Sequence, residues 1–167
     1  MRTALLLSRA AALFDVDRSG RTGQFVEVYP ASALARWGVK TKYPRKEGGS
    51  PISYKDPRGI DSAEIREKRG ALRRRMVRRL VERLEASHEV VTRLATSDHT
   101  VDALASALVA LMVAIDPERD KGFIEPIPEG VDAIAKREGW IALPKTCSLT
   151  HLRHWLSERS RPARRAR

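Results

Sequence analysis

Three polar side chains at the start of an apolar segment are the residues best suited to chemistry. Asp98, His99 and Asp102 open the segment 98–115, which is otherwise rich in Ala, Leu and Val. Residues three or four apart share one face of a helix, so Asp102 is expected beside both Asp98 and His99. Mg²⁺ and Mn²⁺ prefer carboxylate oxygens, and such ions support phosphodiester hydrolysis. The spacing therefore favours a metal site, with His99 as a ligand, a general base or a surface residue.

A further candidate acid, Glu27, lies far upstream in residues 24–29, whose alternation predicts a strand. We expect Glu27, Asp102 and His99 to be catalytic, and Glu27, Asp98 and Asp102 to bind Mg²⁺ or Mn²⁺. Simpler explanations remain, because the helix dipole favours an acid such as Asp98 in a first turn and Glu27 can be a solvent-facing strand residue. Asp102 is harder to explain structurally, since it follows the first turn of a helix that we expect to be buried, where an acid needs a partner.

The charge of the chain favours polyanionic partners. Its 167 residues carry a formal net charge of +11, and the pI is about 10.5. Such an excess of positive charge favours nucleic acid over a membrane surface as the partner. A protein from a proteome rich in Arg and Ala can carry the same excess without such a partner. The predicted nucleic-acid-binding residues are Lys55, Arg73, Arg74, Arg78 and Arg79. A solvated helix surface is the competing interpretation of these arginines.

Periodicity and turn residues predict a helix-rich α/β chain that positions these groups. Residues 39–60 contain several Pro and Gly and are predicted as a long loop, as are residues 116–128. Ser97 is expected to cap the segment 98–115, which is apolar nearly all round and should lie at the centre of the domain. The predicted helices are 3–14, 31–37, 61–86 (with Asp61 as its cap), 98–115, 129–138 and 148–158, and the predicted strands are 24–29 and 139–144.

We expect a single domain over residues 1–158 and a disordered basic tail over 159–167. The single cysteine, Cys147, excludes an internal disulfide and is typical of a reducing, cytoplasmic location. No apolar run reaches the roughly 20 residues of a membrane span, so no membrane partner is expected. Glycine-rich phosphate loops, nucleophile elbows, zinc-protease motifs and paired CxxC motifs are absent from the sequence.

Four ordered segments resemble the uncharacterised bacterial family of predicted RNase H-like nucleases, domain of unknown function 429. They are Glu27–Leu34 with Trp37–Gly38, Ser53–Lys55, Asp98–Leu108 and Glu138–Pro144. The resemblance implies an RNase H-like α/β fold with a metal-dependent nuclease site. Within that site, Glu27 would be the acid of the central strand and Asp102 the acid of the last helix.

The resemblance also implies a first-strand Asp on a three-stranded meander before the helix predicted at 3–14. The first acid in this chain is Asp15, at the end of that helix. We therefore expect an N-terminally incomplete RNase H-like domain with impaired cleavage and a small residual sheet, whose exposed edge permits self-association. The alternatives are a non-catalytic basic nucleic-acid-binding module and an inactive truncated remnant.

Overall fold

The computed structural model describes residues 26–44, 50–57, 62–82, 84, 86–130 and 141–159. These residues form a helix-rich mixed α/β structure with a small amount of sheet, as the sequence predicts. The elements in chain order are β1 (Glu27–Val28), α1 (Pro30–Arg36), β2 (Lys42–Tyr43), β3 (Ile52–Ser53), α2 (Ala63–Leu80), α3 (His88–Leu94), α4 (Asp98–Ile115), β4 (Ile141–Ala142) and α5 (Ser148–Arg159).

The strands form two short pairs. β1 runs parallel to β4, with Glu27 opposite Ile141, and both strands lie inside the segments predicted as strands. β2 and β3 pair antiparallel, with Tyr43 opposite Ile52. The prediction of an uninterrupted loop over 39–60 is therefore wrong at these residues. Strands of two residues are too short to show alternation in the sequence, and β3 is positioned by its contacts with α2.

Helix α2 covers only part of the predicted helix 61–86. Its cap is Ser62, whose side chain accepts a hydrogen bond from the Ile65 backbone N–H, and Asp61 lies outside the described residues. The helix ends at Leu80, and a separate helix, α3, follows with Ser87 as its cap. The predicted helix runs through this break, because the apolar residues continue at helical spacing through the turn.

Helix α4 is the centre of the described structure and agrees with its predicted bounds. Ser97 and Thr100 form a reciprocal capping box at its start. The helix contacts α1, α2, α3 and β1. Its buried apolar residues are Val101, Ala105, Leu108, Val109, Met112 and Val113. The expectation of burial all round is wrong on the opposite side, where the exposed residues are Ala103, Ala107, Ala110, Leu111 and Ala114.

By length and composition, α4 is the one helix among the described residues that could span a membrane. In the structure, 39% of this helix is buried. The core helix of a globular domain passes the same test. Its packing against three helices and a strand is that of such a core helix.

The segment after α4 is organised by a buried carboxylate. Asp116 is fully buried and accepts hydrogen bonds from the backbone N–H groups of Lys121, at 2.9 Å, and Phe123, at 3.0 Å. Burial alone would raise the pKa of Asp116, but the N–H groups of Lys121, Phe123 and Ile124 hold it below its ordinary value. These bonds shape the segment so that Ile124 can pair with Pro144.

Helix α5 agrees with the helix predicted at 148–158 and extends to Arg159, the first residue of the predicted tail. A hydrogen bond connects the first residue of α5 to Trp37, the residue after α1: Trp37 Nε1 donates to Ser148 Oγ at 2.9 Å. The predicted helix 3–14, the turn that follows it, most of the predicted helix 129–138 and the tail residues 160–167 lie outside the described residues.

Candidate functional site

The two aspartates of α4 share one site at its start, as their spacing predicts. Asp98 is 7% exposed, and its Oδ2 lies 4.0 Å from Lys55 Nζ. Asp102 is half-buried and forms an ion pair with the same Lys55 ammonium. The other oxygen of Asp98, Oδ1, is buried and has no hydrogen-bond partner among the described residues. A buried carboxylate oxygen without a donor costs free energy, so this position is favourable for a ligand that supplies positive charge.

Tyr54 is the second partner of Asp102. Its hydroxyl donates to Asp102 Oδ1 at 2.7 Å. Burial raises the pKa of the Tyr54 phenol above its ordinary value, and the hydrogen bond to Asp102 and the nearby charge of Asp98 raise it further. Tyr54 is therefore a neutral hydrogen-bond donor across the physiological pH range, and it fixes the orientation of the Asp102 carboxylate.

Lys55 supplies the positive charge of this site in the structure. Besides its contacts with the two aspartates, its ammonium lies 5.0 Å from the centre of the Tyr54 ring, a cation–π distance. The side chain of Lys55 is 44% exposed, so it can leave the site at little packing cost. Lys55, which the sequence analysis assigned to nucleic-acid binding, therefore lies with the acids and not with the arginines of α2.

The backbone around Tyr54 is held in place by two arginines of α2. Arg73 donates to the Tyr54 carbonyl oxygen at 2.8 Å and to the Thr96 carbonyl oxygen at 3.1 Å. Arg69 donates to the Ser53 carbonyl oxygen at 3.0 Å. Both arginines are buried. Arg73, which was predicted to bind nucleic acid, is buried and joins the residue after β3 and Thr96, which precedes α4, to α2.

Glu27 and His99 do not join this cluster. Glu27 is exposed on β1 and lines a shallow groove of about 450 Å³ with Ser106, Ala107 and Ala110 of α4. Ser106 is one turn after Asp102, about 6 Å further along the helix axis, so the groove that Glu27 lines lies beside a later part of α4 than the two aspartates. His99 is exposed. Among the described residues no three His, Cys, Asp or Glu side chains are close enough to hold one metal ion.

The residues present fit Mg²⁺ or Mn²⁺ with two protein ligands. Mg²⁺ keeps several water ligands and is often held by one or two carboxylates together with substrate phosphates. Asp98 and Asp102 supply hard oxygen donors, and the buried Asp98 Oδ1 has no hydrogen-bond partner among the described residues. Glu27 would take part only through water or after a shift of β1.

The remaining predicted nucleic-acid-binding residues lie on the exposed side of α2. Arg74, Arg78 and Arg79 are exposed. Arg79 pairs with Glu82 at 2.7 Å, whereas Arg74 and Arg78 have no acidic partner in the part of the chain that the structure describes. These three side chains form a basic surface that is separate from the buried Arg69 and Arg73.

Tyr54 is the site residue that the sequence analysis left out. It stands next to Lys55 in the segment Ser53–Lys55, which was quoted for the family resemblance, so the signal was present. Arg73 was assigned to a nucleic-acid-binding or solvated helix face, whereas the structure buries both Arg73 and Arg69. Their burial is detectable in the spacing, because residues 69, 73, 76, 77 and 80 continue one stripe of a helix.

The comparisons with known proteins yield one match. The family model described as "Protein of unknown function (DUF429)" matches residues 2–125. This range contains β1, both aspartates of α4, and Tyr54 with Lys55. No curated protein and no solved structure matches the chain.

Proposed function

We propose that this chain, which belongs to the DUF429 family as its sequence predicts, is a metal-dependent nuclease domain that hydrolyses phosphodiester bonds of nucleic acid. The observation that supports this function best is the pair Asp98 and Asp102. One oxygen of Asp98 is buried without a hydrogen-bond partner, and both carboxylates face a single exchangeable cation, the Lys55 ammonium. An RNase H-like origin of the fold and a cytoplasmic location are parts of the same proposal.

In this proposal each residue of the site has a distinct role. Asp98 and Asp102 hold Mg²⁺ or Mn²⁺, which supplies water activation and stabilisation of the leaving oxygen when bound. Tyr54 orients Asp102 through its hydroxyl. Lys55, once displaced from the carboxylates, is an ammonium close enough to pair with a substrate phosphate. Glu27 and His99 lie outside this pair and are the candidates for a third carboxylate and a general base.

Metal binding tests the proposal directly. Isothermal titration calorimetry with Mn²⁺ should show binding to the unaltered chain, and Asp98→Asn or Asp102→Asn should weaken it at least about tenfold, because each change removes one of two protein ligands. Glu118→Gln is the matched control, since Glu118 is an exposed acid away from the site. Circular dichroism verifies that the variants are folded. Absence of Mn²⁺ binding, or equal binding by all variants, would contradict the metal site.

Cleavage is measured on the same proteins with labelled single-stranded and duplex DNA and RNA. Cleavage should require Mg²⁺ or Mn²⁺, should stop in EDTA and should be lost in Asp102→Asn but not in Glu118→Gln. Metal-independent cleavage, or cleavage that persists in Asp102→Asn, would show that another site or a contaminating enzyme is responsible.

A non-catalytic nucleic-acid-binding module is the second candidate. Two observations on the described residues favour it: no three-ligand metal group is present among them, and Arg74 and Arg78 on the exposed side of α2 have no acidic partner among them. In this case binding to nucleic acid is retained in EDTA and in Asp102→Asn, and neither the unaltered chain nor any variant cleaves.

A further inference from the structure

We propose that a second site of this chain, a basic cleft beside the C-terminal half of α2, binds a phosphate monoester. The cleft lies between residues 38–40, which follow α1, and the last turns of α2, and it has a volume of about 370 Å³. It is lined by Gly38, Val39, Lys40, Arg75, Met76, Arg78, Arg79 and Glu82. The cleft contains none of the acidic-site residues, and binding there does not require bound metal.

The charge of the cleft is strongly positive. Lys40, Arg75 and Arg78 have no acidic partner among the residues that the structure describes, whereas Glu82 pairs with Arg79 at 2.7 Å. Glu82 also lies 3.4 Å from the Arg153 guanidinium of α5. Two arginines thus neutralise the single carboxylate of the lining, and three cations remain for a ligand.

The floor of the cleft is apolar and fixed. Met76 and Val39 are both buried, with 1% and 6% of their surface exposed. Gly38 has a φ of +65°, a left-handed conformation that favours glycine, and it turns the chain after α1 so that residues 39 and 40 lie over α2. The cations therefore border a concave surface whose floor is apolar, and Arg78 is shared between this cleft and the exposed side of α2.

This combination fits a phosphate monoester better than the diester backbone of a duplex. A monoester carries about −1.5 to −2 charges at neutral pH, whereas each backbone phosphate carries one. Three uncompensated cations around one concave space match the higher charge. The volume lies within the range of small-molecule sites, and an apolar floor can take the sugar or base that carries the phosphate. The ligand is a nucleotide, either free or at the phosphorylated end of a nucleic-acid strand.

The test compares two oligonucleotides of one sequence, with a 5′-phosphate or a 5′-hydroxyl, each labelled at its 3′ end. Fluorescence anisotropy is measured in EDTA, so neither metal binding nor cleavage contributes. The 5′-phosphorylated strand should bind at least about fivefold more tightly, since it adds charge-assisted hydrogen bonds to the cleft. Competition with a nucleoside monophosphate or with the nucleoside distinguishes a free nucleotide from a strand end as the ligand. If the monophosphate displaces the labelled strand and the nucleoside at the same concentration does not, the ligand is a free nucleotide. If the 5′-phosphorylated strand binds more tightly but the monophosphate does not displace it, the ligand is the strand end.

Lys40→Gln with Arg75→Gln should abolish the preference for the phosphate. The matched control is Lys68→Gln with Arg93→Gln, which removes the same charge from exposed residues that already pair with Glu64 and Glu89, and it should keep the preference. Asp102→Asn should keep it as well, so failure of the metal site and failure of the cleft are separate results. Equal binding of both strands by the unaltered chain, or a preference that survives in the Lys40 and Arg75 variant, would overturn the proposal.

Discussion

The Tyr54 hydroxyl donates to Asp102 Oδ1 across 2.7 Å, and this bond joins the residues after β3 to the central helix α4. The carbonyl oxygen of the same Tyr54 accepts a hydrogen bond from the buried Arg73 of α2 at 2.8 Å. Tyr54 is therefore held at both its backbone and its side chain by two different helices. The position of Asp102 depends on α2 as much as on its own helix.

The first prediction concerns Tyr54→Phe. The variant leaves Asp102 Oδ1 without this donor and should lower the free energy of unfolding by about 1–2 kcal/mol at pH 8. Because burial and Asp102 raise the pKa of the Tyr54 phenol in the folded chain, its contribution is complete below the unfolded value of about 10 and is lost as the pH rises above it. In urea unfolding at increasing pH, the difference in unfolding free energy between the unaltered chain and Tyr54→Phe should therefore become smaller. A difference that grows with pH would contradict the assignment.

The second prediction concerns Lys55→Met. The Lys55 ammonium contacts both the Asp98 and Asp102 carboxylates, and in the proposed metal site it would compete with a divalent ion for them. Removing the ammonium should therefore tighten Mn²⁺ binding by about tenfold, since a competing charge within contact distance of both carboxylates is lost. Calorimetry measures this directly. Lys68→Met, which removes a lysine paired with Glu64, should leave Mn²⁺ affinity unchanged. Weaker Mn²⁺ binding in Lys55→Met would show that the lysine supports the metal.

The parts of the fold that were predictable are those fixed by local chemistry. Ser97 satisfies the free backbone N–H groups at the start of α4, and Pro117 prevents the helix from continuing, so both of its ends follow from neighbouring residues. The break between α2 and α3 depends instead on tertiary packing. Val91, which lies beyond the break, belongs to the same buried core as Val77. The Ser87 cap shows where α3 starts, but the apolar spacing continues past Leu80 and does not indicate where α2 ends.

The acidic site, like the fold, was predictable only in the part that local residues determine. The spacing of Asp98 and Asp102 within one helix is a local property, and the structure brings the two carboxylates together. Their partners come from 43 to 48 residues away in the chain: Tyr54 and Lys55 reach α4 only because Arg73 anchors the segment after β3. Since an isolated sequence carries no pairing information over that separation, Lys55 was placed with the arginines, which it resembles in charge.

The third prediction concerns Asp116→Asn. The buried carboxylate accepts backbone hydrogen bonds at 2.9 and 3.0 Å, and the amide replaces one acceptor oxygen with a donor. The variant should lose about 2–4 kcal/mol of unfolding free energy at pH 7. Because the pKa of Asp116 is lowered in the folded chain, its contribution is present above the unfolded value of about 4 and is lost as the pH falls through the folded value. The thermal unfolding midpoints of the unaltered chain and Asp116→Asn should therefore converge as the pH is lowered.

The control for this prediction is Glu118→Gln, which changes an exposed acid in the same segment. It should change the free energy of unfolding by about 0.5 kcal/mol or less, the usual range of surface substitutions. Equal losses for the two variants would show that the charge of the segment, and not the burial of Asp116, determines its stability.

The last prediction concerns the exposed side of α2. Arg74 and Arg78 are one helical turn apart and lack acidic partners among the described residues, so both are available to backbone phosphates. Each phosphate contact releases counterions, and log affinity for duplex DNA falls with log salt by about 0.9 per contact. Arg74→Gln with Arg78→Gln should therefore make the slope shallower by about 1.8. Lys68→Gln with Arg93→Gln removes equal charge from residues already engaged with Glu64 and Glu89 and should change the slope by much less. Equal changes would mean that net charge, and not this helix face, determines binding.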